Sequence, residues 1–277
     1  MVEAPGLLIY IATKNRPKLL LNTLNQLVTQ ISKNDLVIVS DASDKPDEAK
    51  IIEFFQVNSS NFHYYRNSTK GVTANRNYGL NAPVIKKISY WCFFDDDLNI
   101  QPDYLQKVRI AISTIDGKTA ITGYLNTDIP NSPNWLGFYR KPALTNGMLL
   151  MPHSVGTWIP VQNYPKFSYQ SEHLYGNDEL ELRDYLFRNH IKIKFVPELL
   201  ISHPQHEYAT IHSLSELTRA KVRIQQNVNS MKRNNKSYFI IIFFVVITTL
   251  HYFYYQLKLK LKQLLRILTK FKCTFKK

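Results

Sequence analysis

The stretch Trp91-Cys-Phe-Phe-Asp-Asp-Asp97 decides the fold. Its apolar half predicts a strand that is buried on both faces, because it offers no polar side chains to solvent. Asp95 and Asp97 point to the same side if the strand continues, since side chains alternate. Crowded carboxylates repel one another unless water or a cation neutralises them, and their oxygens select Mg²⁺ or Mn²⁺. The triplet is therefore a candidate metal site, or else a solvated acidic turn that caps the next helix.

Strands and helices alternate on both sides of this stretch. The alternation predicts an α/β fold with a mainly parallel central sheet, Rossmann-like, with helices on both faces. Residues 119–170 are richer in Pro, Asn, Trp and Tyr, and we expect shorter elements there that shape a second binding surface. The predicted strands are Leu7–Ala12, Leu36–Ser40, Phe62–Arg66, Ser89–Phe94 and Ile191–Val196, and the predicted helices are Leu19–Val28, Glu48–Gln56, Gly71–Leu80, Pro102–Ile115 and Asp178–His190.

Ligands of an open α/β sheet bind beyond the carboxyl ends of its strands. In this sequence those ends carry Thr13–Arg16, Asp41–Asp44 and Asp95–Asp97, so several carboxylates should surround one crevice. No Gly-x-Gly-x-x-Gly follows the first strand, which argues against a dinucleotide site. The chain also lacks a Gly-x-x-x-x-Gly-Lys-Ser/Thr motif, which excludes a P-loop.

The charge of the chain is concentrated at its C-terminal end. The net charge is +14, yet residues 1–218 hold 21 basic and 21 acidic residues, whereas 219–277 hold 14 basic residues and no acidic one. The uncharged run Ser237–Leu257 would form a helix of ~31 Å, close to the hydrocarbon thickness of a bilayer. Residues 258–277 predict a basic amphipathic helix suited to an anionic membrane surface. We therefore expect membrane attachment, either spanning or interfacial, rather than nucleic-acid binding; a tail that docks on the protein or stays solvated is the alternative.

The N-terminal and cysteine patterns bear on the compartment. The N-terminus shows no basic stretch followed by an apolar run of signal-peptide length. Only two cysteines occur, Cys92 and Cys273, which excludes a disulfide framework and a cysteine-built zinc site. These features fit a reducing compartment and agree with attachment at the cytoplasmic face of the cell membrane, which we expect if the chain uses a cytosolic substrate.

Five motifs occur in order along the chain: Leu8–Pro17, Val37–Ser43, Gly71–Gly79, Phe93–Asp97 and Tyr175–Leu180. Together they resemble the motifs of family 2 glycosyltransferases, the inverting enzymes of the A-type glycosyltransferase fold, over roughly residues 6–205. The resemblance implies a catalytic domain over 1–212, with a nucleotide-binding half over 1–100 and an acceptor half over 101–212. A basic linker helix (213–236), the apolar helix (237–257) and the amphipathic helix (258–277) would follow.

On the donor side, the resemblance implies a role for each matching residue. Asp97 would coordinate Mn²⁺ or Mg²⁺ on the nucleotide diphosphate, with Asp95 and His203 as further ligands and His206 competing with His203. Asp95 and Asp96 would also hold the ribose or donor sugar. Arg76 would add positive charge at the diphosphate, and Asp41 would accept a hydrogen bond from an N–H of the nucleotide base. The donor-binding set is Thr13, Asn15, Arg16, Asp41, Arg76, Asp95 and Asp96.

On the acceptor side, inversion requires a base that removes the proton of the attacking hydroxyl. Asp178 holds the family's position for that base, although Asn177 precedes it where the family more often has Glu, and Glu179 stays open as an alternative. Both acids also suit a helix N-terminus. Aromatic side chains that could stack on acceptor sugars, or simply pack in the core, are Trp135, Trp158, Tyr164 and Tyr169.

These features predict a transferase that moves a sugar from a UDP-linked donor to a glycan or lipid-linked acceptor in cell-surface polysaccharide synthesis. The processive members' Gln-x-x-Arg-Trp motif is missing, so we expect one or a few sugars per acceptor. A sugar nucleotidyltransferase is the alternative, but Thr13–Pro17 lacks the Gly-rich triphosphate loop. An inactive membrane scaffold on the same fold is another, which the retained Asp95–Asp97 and Asp178 disfavour.

Overall fold

A computed structural model describes residues 5–45, 49–126, 132–133, 139–140, 152–161, 166–169, 178–203, 216–233, 235–250, 252–254 and 257. The chain forms two compact units, Met1–Ser213 and Leu214–Lys277. In chain order the first unit contains β1 (Leu7–Thr13), α1 (Pro17–Val28), β2 (Leu36–Asp41), α2 (Ala49–Val57), β3 (Phe62–Arg66), α3 (Val72–Leu80), β4 (Tyr90–Asp95), β5 (Asn99–Ile100), α4 (Tyr104–Ser113), β6 (Thr119–Leu125), β7 (Ser132–Pro133), β8 (Tyr139–Arg140), β9 (Ile159–Pro160), α5 (Asp178–Arg188) and β10 (Lys192–Ser202).

The main sheet has five strands in the order β3-β2-β1-β4-β9. The first four strands of that order run parallel, and β9 pairs antiparallel with β4 at the edge. The register sets Thr13 beside Asp41 and Ala12 beside Asp95. The carboxyl ends of β1, β2 and β4 therefore meet at one edge, where the sequence places its polar residues.

Both faces of this sheet are buried, as the apolar strands predict. Alternate residues of β1 enter opposite cores: Ile9 packs in the core that includes α1, α2 and α4, and Tyr10 packs in the core that includes α3 and α5. The predicted helices on both faces of the sheet are thus confirmed. Helix α3 begins after Gly71, whose φ of 94° lies in the region that favours glycine.

A second sheet, which the sequence did not predict, has the order β5-β10-β6. Strand β10 runs parallel to β6 and antiparallel to β5, so the sheet content of the unit is more mixed than predicted. Strand β10 also extends beyond the predicted end at Val196, because a register shift between Phe195 and Leu200 accommodates Pro197, which cannot donate to the ladder. A single antiparallel bridge between Ile121 and Trp158 joins β6 to the residue preceding β9.

The C-terminal unit is helical where the structure describes it. Helix α6 spans Glu216–Arg233, and a second helix is described over 238–250, at 252–254 and at 257. In the described part of the chain, none of the helices combines the length and the apolar character needed to cross a bilayer. The amphipathic helix predicted for 258–277 lies outside the described residues.

Candidate active site

The loop after β1 is tied to the loop after β2. Asn15 adopts a left-handed backbone with a φ of 57°, which asparagine tolerates better than most residues. Its side-chain amide donates to Asp44 at 2.8 Å and accepts from the Asp44 amide at 2.9 Å. Its backbone N–H donates to Ser43 Oγ at 2.7 Å. Asn15 thus fixes the geometry of the loop, which the sequence assigned to donor binding.

Asp41 ends β2 as a buried hydrogen-bond acceptor. It accepts from the hydroxyl of Tyr64 at 2.5 Å, and from the amide and hydroxyl of Ser43 at 2.7 and 2.5 Å. These bonds orient the carboxylate at the carboxyl end of the sheet. Its expected contact with a nucleotide base stays a prediction.

Asn75 in α3 joins three strand ends, and the sequence did not single it out. Its amide donates to the carbonyl of Thr13 at 2.9 Å, and its oxygen accepts from Ser40 Oγ at 2.6 Å and from Asn67 at 2.9 Å. A buried asparagine in a short helix needs such partners. The signal was its place beside Arg76 in the Gly71–Gly79 motif.

The three aspartates after β4 divide between two environments. Asp96 turns towards β1, where it accepts from Thr13 Oγ1 at 2.6 Å and lies 3.2 Å from Arg16 Nη1. Burial is the main reason that the pKa of Asp96 is raised to about 6. The carboxylate of Asp96 is buried against the β1 loop, and its expected role on the ribose or donor sugar stays a prediction.

Asp95 and Asp97 both lie close to the imidazole of His203. His203 Nε2 lies 3.4 Å from Asp95 and 3.2 Å from Asp97. Each of the three residues offers one potential ligand atom, and these three atoms all lie within 4.8 Å of one another. Two carboxylates and an imidazole form a donor set that fits Mn²⁺, and carboxylates also suit Mg²⁺. Burial would raise the pKa of Asp95, but the hydrogen bond with His203 and the charge of Arg76 outweigh it and lower that pKa.

His203 reaches this group because β10 extends to Ser202, beside Asn99 of β5. Its amide donates to the side chain of Asn126 at 2.6 Å, and Asn126 itself has a left-handed φ of 56°. The sequence did not single out Asn126. Within the described part of the chain, His203 is the histidine that meets the two aspartates. His206, the competing candidate, lies outside the described residues.

Arg76 bridges the candidate metal group and the candidate base. Its Nη2 lies 2.9 Å from Asp95, and its Nη1 makes a close ion pair with Asp178 at the start of α5. The guanidinium also lies over the ring of Phe93, 5.0 Å from the centroid. Burial would lower the pKa of Arg76, but the charge of Asp178, followed by smaller contributions from its other neighbours, keeps it well above its ordinary value.

The expected place of Arg76 at the diphosphate stays a prediction, and the ion pairs that the structure describes join it to acidic side chains. Both terminal nitrogens are engaged by carboxylates and the side chain is only 3% exposed, so little of the guanidinium faces a ligand. The described contacts make Arg76 a cation that holds two acidic side chains in fixed positions.

Residues 166–169 dock on α3 through Asn77. The Asn77 amide donates to the carbonyl of Tyr169 and accepts from its N–H, each at 2.8 Å. Tyr169 is thereby buried, with its hydroxyl 3.4 Å from Arg76 Nη1. Trp158 is also fully buried and donates to Tyr104 at 3.2 Å. Neither ring is available to stack on an acceptor sugar, and Trp135 and Tyr164 lie outside the described residues.

Glu179 follows Asp178 on the first turn of α5. Burial, followed by the charge of Asp178, raises the pKa of Glu179 to about 8. The structure therefore gives the two neighbouring acids different settings: Asp178 is paired with Arg76, and Glu179 is held towards its neutral form. Asn177 lies outside the described residues.

Known proteins resemble this chain in sequence family and in fold. The family model for glycosyl transferase family 2 matches residues 8–153. Among curated protein sequences, none matches the chain. Among solved structures, GalNAc-T7 with UDP, GalNAc and Mn²⁺ is similar with a TM-score of 0.60 and 12% identity, covering 80% of this chain. This chain spans only 48% of the GalNAc-T7 chain.

A second similar structure is residues 1–349 of S. aureus TarS in complex with UDP-GlcNAc. Its TM-score is 0.56 at 15% identity, with 87% of this chain and 71% of that chain covered. At such low identities these two likenesses describe the fold. The family match covers more than half of the chain and includes the carboxyl ends of β1, β2 and β4, so the protein belongs to glycosyltransferase family 2.

Proposed function

We propose that the protein is a metal-dependent, inverting glycosyltransferase that takes a sugar from a UDP-linked donor. The proposed acceptor is a hydroxyl of a glycan or lipid-linked saccharide in cell-surface polysaccharide synthesis, extended by one or a few sugars. Family membership supports glycosyl transfer, and the titles of two structures similar in fold name UDP or UDP-GlcNAc.

One observation carries the proposal: Arg76 links Asp95, a member of the candidate metal group, to Asp178, the candidate base. A donor must be held at its diphosphate while an acceptor is deprotonated a few ångströms away, at the anomeric carbon. One guanidinium group contacts both acids, so the two required functions lie close enough to serve one reaction.

Asp95, Asp97 and His203 would hold Mn²⁺ or Mg²⁺, which supplies positive charge to the departing diphosphate when bound. Arg16, whose Nη1 lies 3.3 Å from Asp97, adds a second positive charge at this edge. Together they would orient the donor with its anomeric carbon towards α5.

The transfer itself needs one proton movement and one bond exchange. The acceptor oxygen forms a bond to the anomeric carbon while Asp178 takes the hydroxyl proton, and the bond from that carbon to the phosphate oxygen breaks with its electron pair leaving on UDP. Attack from the face opposite the diphosphate inverts the anomeric configuration. Glu179 has a pKa that favours its neutral form, which suits it less as the base.

The test is a panel of UDP-, GDP- and CDP-sugars, each added with and without Mn²⁺, read as thermal stabilisation and then as nucleotide release. A true donor present at 100 times its Kd should add about 2.7 kcal/mol to the free energy of unfolding. Asp97→Asn should remove the Mn²⁺-dependent shift, whereas Asp103→Asn, an exposed acid of the same unit paired with Lys107, should retain it.

The outcomes separate the candidates. In a parallel assay with UTP, a sugar 1-phosphate and Mn²⁺, release of pyrophosphate would instead favour the nucleotidyltransferase. An Asp97→Asn protein with an unchanged Mn²⁺-dependent shift would show that the acidic group does not hold the metal.

A further inference from the structure

The second helix of the C-terminal unit exposes large apolar side chains, most of them on one side, with Ile240 and Ile242 exposed beside it. Those on that side follow each other at alternating spacings of four and three residues, which keeps them on a single face of a helix. Over its length of ~27 Å the face carries no charged residue. We call this face the apolar stripe; its members, between 42% and 79% exposed, are Phe239, Phe243, Val246, Leu250, Phe253 and Leu257.

The opposite side of the same helix is already covered. Ile241 and Phe244 are buried, only 6% and 3% exposed. The hydroxyl of Thr248 donates to the carbonyl of Phe244 at 2.7 Å, so its polar group is satisfied within the helix. The helix therefore has one face packed in the protein and a second apolar face open, which a solvated linker would not need.

The charges beside the apolar stripe favour one kind of partner for it. Lys232, Arg233 and Lys236 precede it, and no acidic residue occurs anywhere in 219–277. A second copy of the chain would bring the same positive charges together with no acidic partner, whereas heptad dimers commonly use opposite charges beside the seam. An anionic lipid surface complements both the apolar stripe and the positive flank.

We propose that the apolar stripe lies in the interfacial region of an anionic membrane, with the helix parallel to the surface. The cytoplasmic leaflet of a cell membrane carries this charge. Tyr238 and Tyr254, both exposed beside the stripe, have the amphipathic rings that favour the headgroup level. The membrane would hold the catalytic unit near a lipid-linked acceptor, although lipid binding itself does not depend on the proposed reaction.

The experiment is flotation of the full-length chain with vesicles that contain either phosphatidylcholine alone or phosphatidylcholine with phosphatidylglycerol. Phe239→Ser/Phe243→Ser should lower partitioning by about 100-fold, since each buried phenyl group contributes roughly a tenfold factor or more. Phe187→Ser replaces a phenylalanine of the first unit that is 72% exposed and should leave partitioning unchanged. Lys232→Gln/Arg233→Gln should weaken binding to the anionic vesicles only, by about 30-fold for two removed charges.

Two results would overturn the proposal. The first is unchanged flotation of Phe239→Ser/Phe243→Ser beside an unchanged melting temperature. The second is a wild-type chain that sediments as a dimer without lipid, becomes a monomer in that double variant and does not float with either vesicle; the stripe would then be an interface between two copies. Nucleotide binding, measured on the same proteins, reports separately on the proposed function.

Discussion

Replacing Arg76 with methionine removes the cation between Asp95 and Asp178 while keeping an unbranched side chain of moderate size. Asp178 is almost fully buried and loses its ion-pair partner, and Asp95 loses one partner but keeps His203 at 3.4 Å. Breaking a buried ion pair by removing one member costs about 3–5 kcal/mol. For a unit of the size of Met1–Ser213, each kcal/mol lowers Tm by roughly 2–4 °C, so we expect a fall of about 6–20 °C.

The same substitution should reduce turnover well below the new Tm. Arg76 fixes where the Asp178 carboxylate lies, and a displacement of about 1 Å at a reacting group costs on the order of 100-fold in rate. Arg76→Lys should regain part of the stability but little of the turnover, because an ammonium group is a point charge that cannot bridge two carboxylates as a guanidinium does. Calorimetry and steady-state release of the nucleotide diphosphate measure the two effects.

Arg109→Met is the matched control. Arg109 makes a close ion pair with Asp35, a fully buried carboxylate that is also held by the amides of Leu7 and Ser32. None of these residues belongs to the candidate site, so this variant should lose stability with normal turnover. Equal loss of turnover in both variants at matched stability, or wild-type turnover in Arg76→Met, would refute the positioning role of Arg76.

Three further predictions concern other parts of the site. His203→Gln should weaken Mn²⁺ binding, measured by calorimetric titration. The metal-free variant should keep its melting temperature within about 2 °C, because substitutions at accessible positions cost little stability. Unchanged Mn²⁺ affinity would exclude His203 as a ligand. The raised pKa of Glu179 means that its neutral form stabilises the fold below about pH 4.5 and that this contribution is lost as pH rises through about 8. Urea unfolding of the metal-free protein should therefore show stability falling over that range, with a smaller slope in Glu179→Gln; equal slopes would contradict it. Asn75→Ala removes bonds to Thr13, Ser40 and Asn67 and should cost about 2–3 kcal/mol together with donor affinity; a loss below ~0.5 kcal/mol would contradict the linking role.

Much of the main sheet could be predicted from the sequence because its strands are buried on both faces. Continuous apolar runs such as Leu7–Ile11 and Tyr90–Phe94 suit a strand that is buried on both faces. Polar residues mark where each run ends. The second sheet escaped prediction. The first half of β10 alternates polar and apolar residues and was predicted as a strand over Ile191–Val196, but Pro197 interrupts the pattern before the strand continues. Strand β6 lies in a stretch of mixed polarity and offers no clean two-residue period.

The difference between the predicted and observed sites has the same origin. The residue types at the strand ends, Thr13, Asp41 and Asp95–Asp97, follow from local sequence, and so does the chemistry that carboxylates offer a cation. The partners of those residues do not. Arg76 and Asp178 are 102 positions apart, and His203 follows Asp97 by more than a hundred residues, so only the packing of α3, α5 and β10 around one sheet edge decides that they meet. The sequence alone therefore determined the four parallel strands of the main sheet, the acidic edge and the basic tail, because each depends on neighbouring residues. The tertiary structure decided that Arg76 bridges two carboxylates, because a buried charged group has no solvent around it and requires a counter-charge from a distant part of the chain.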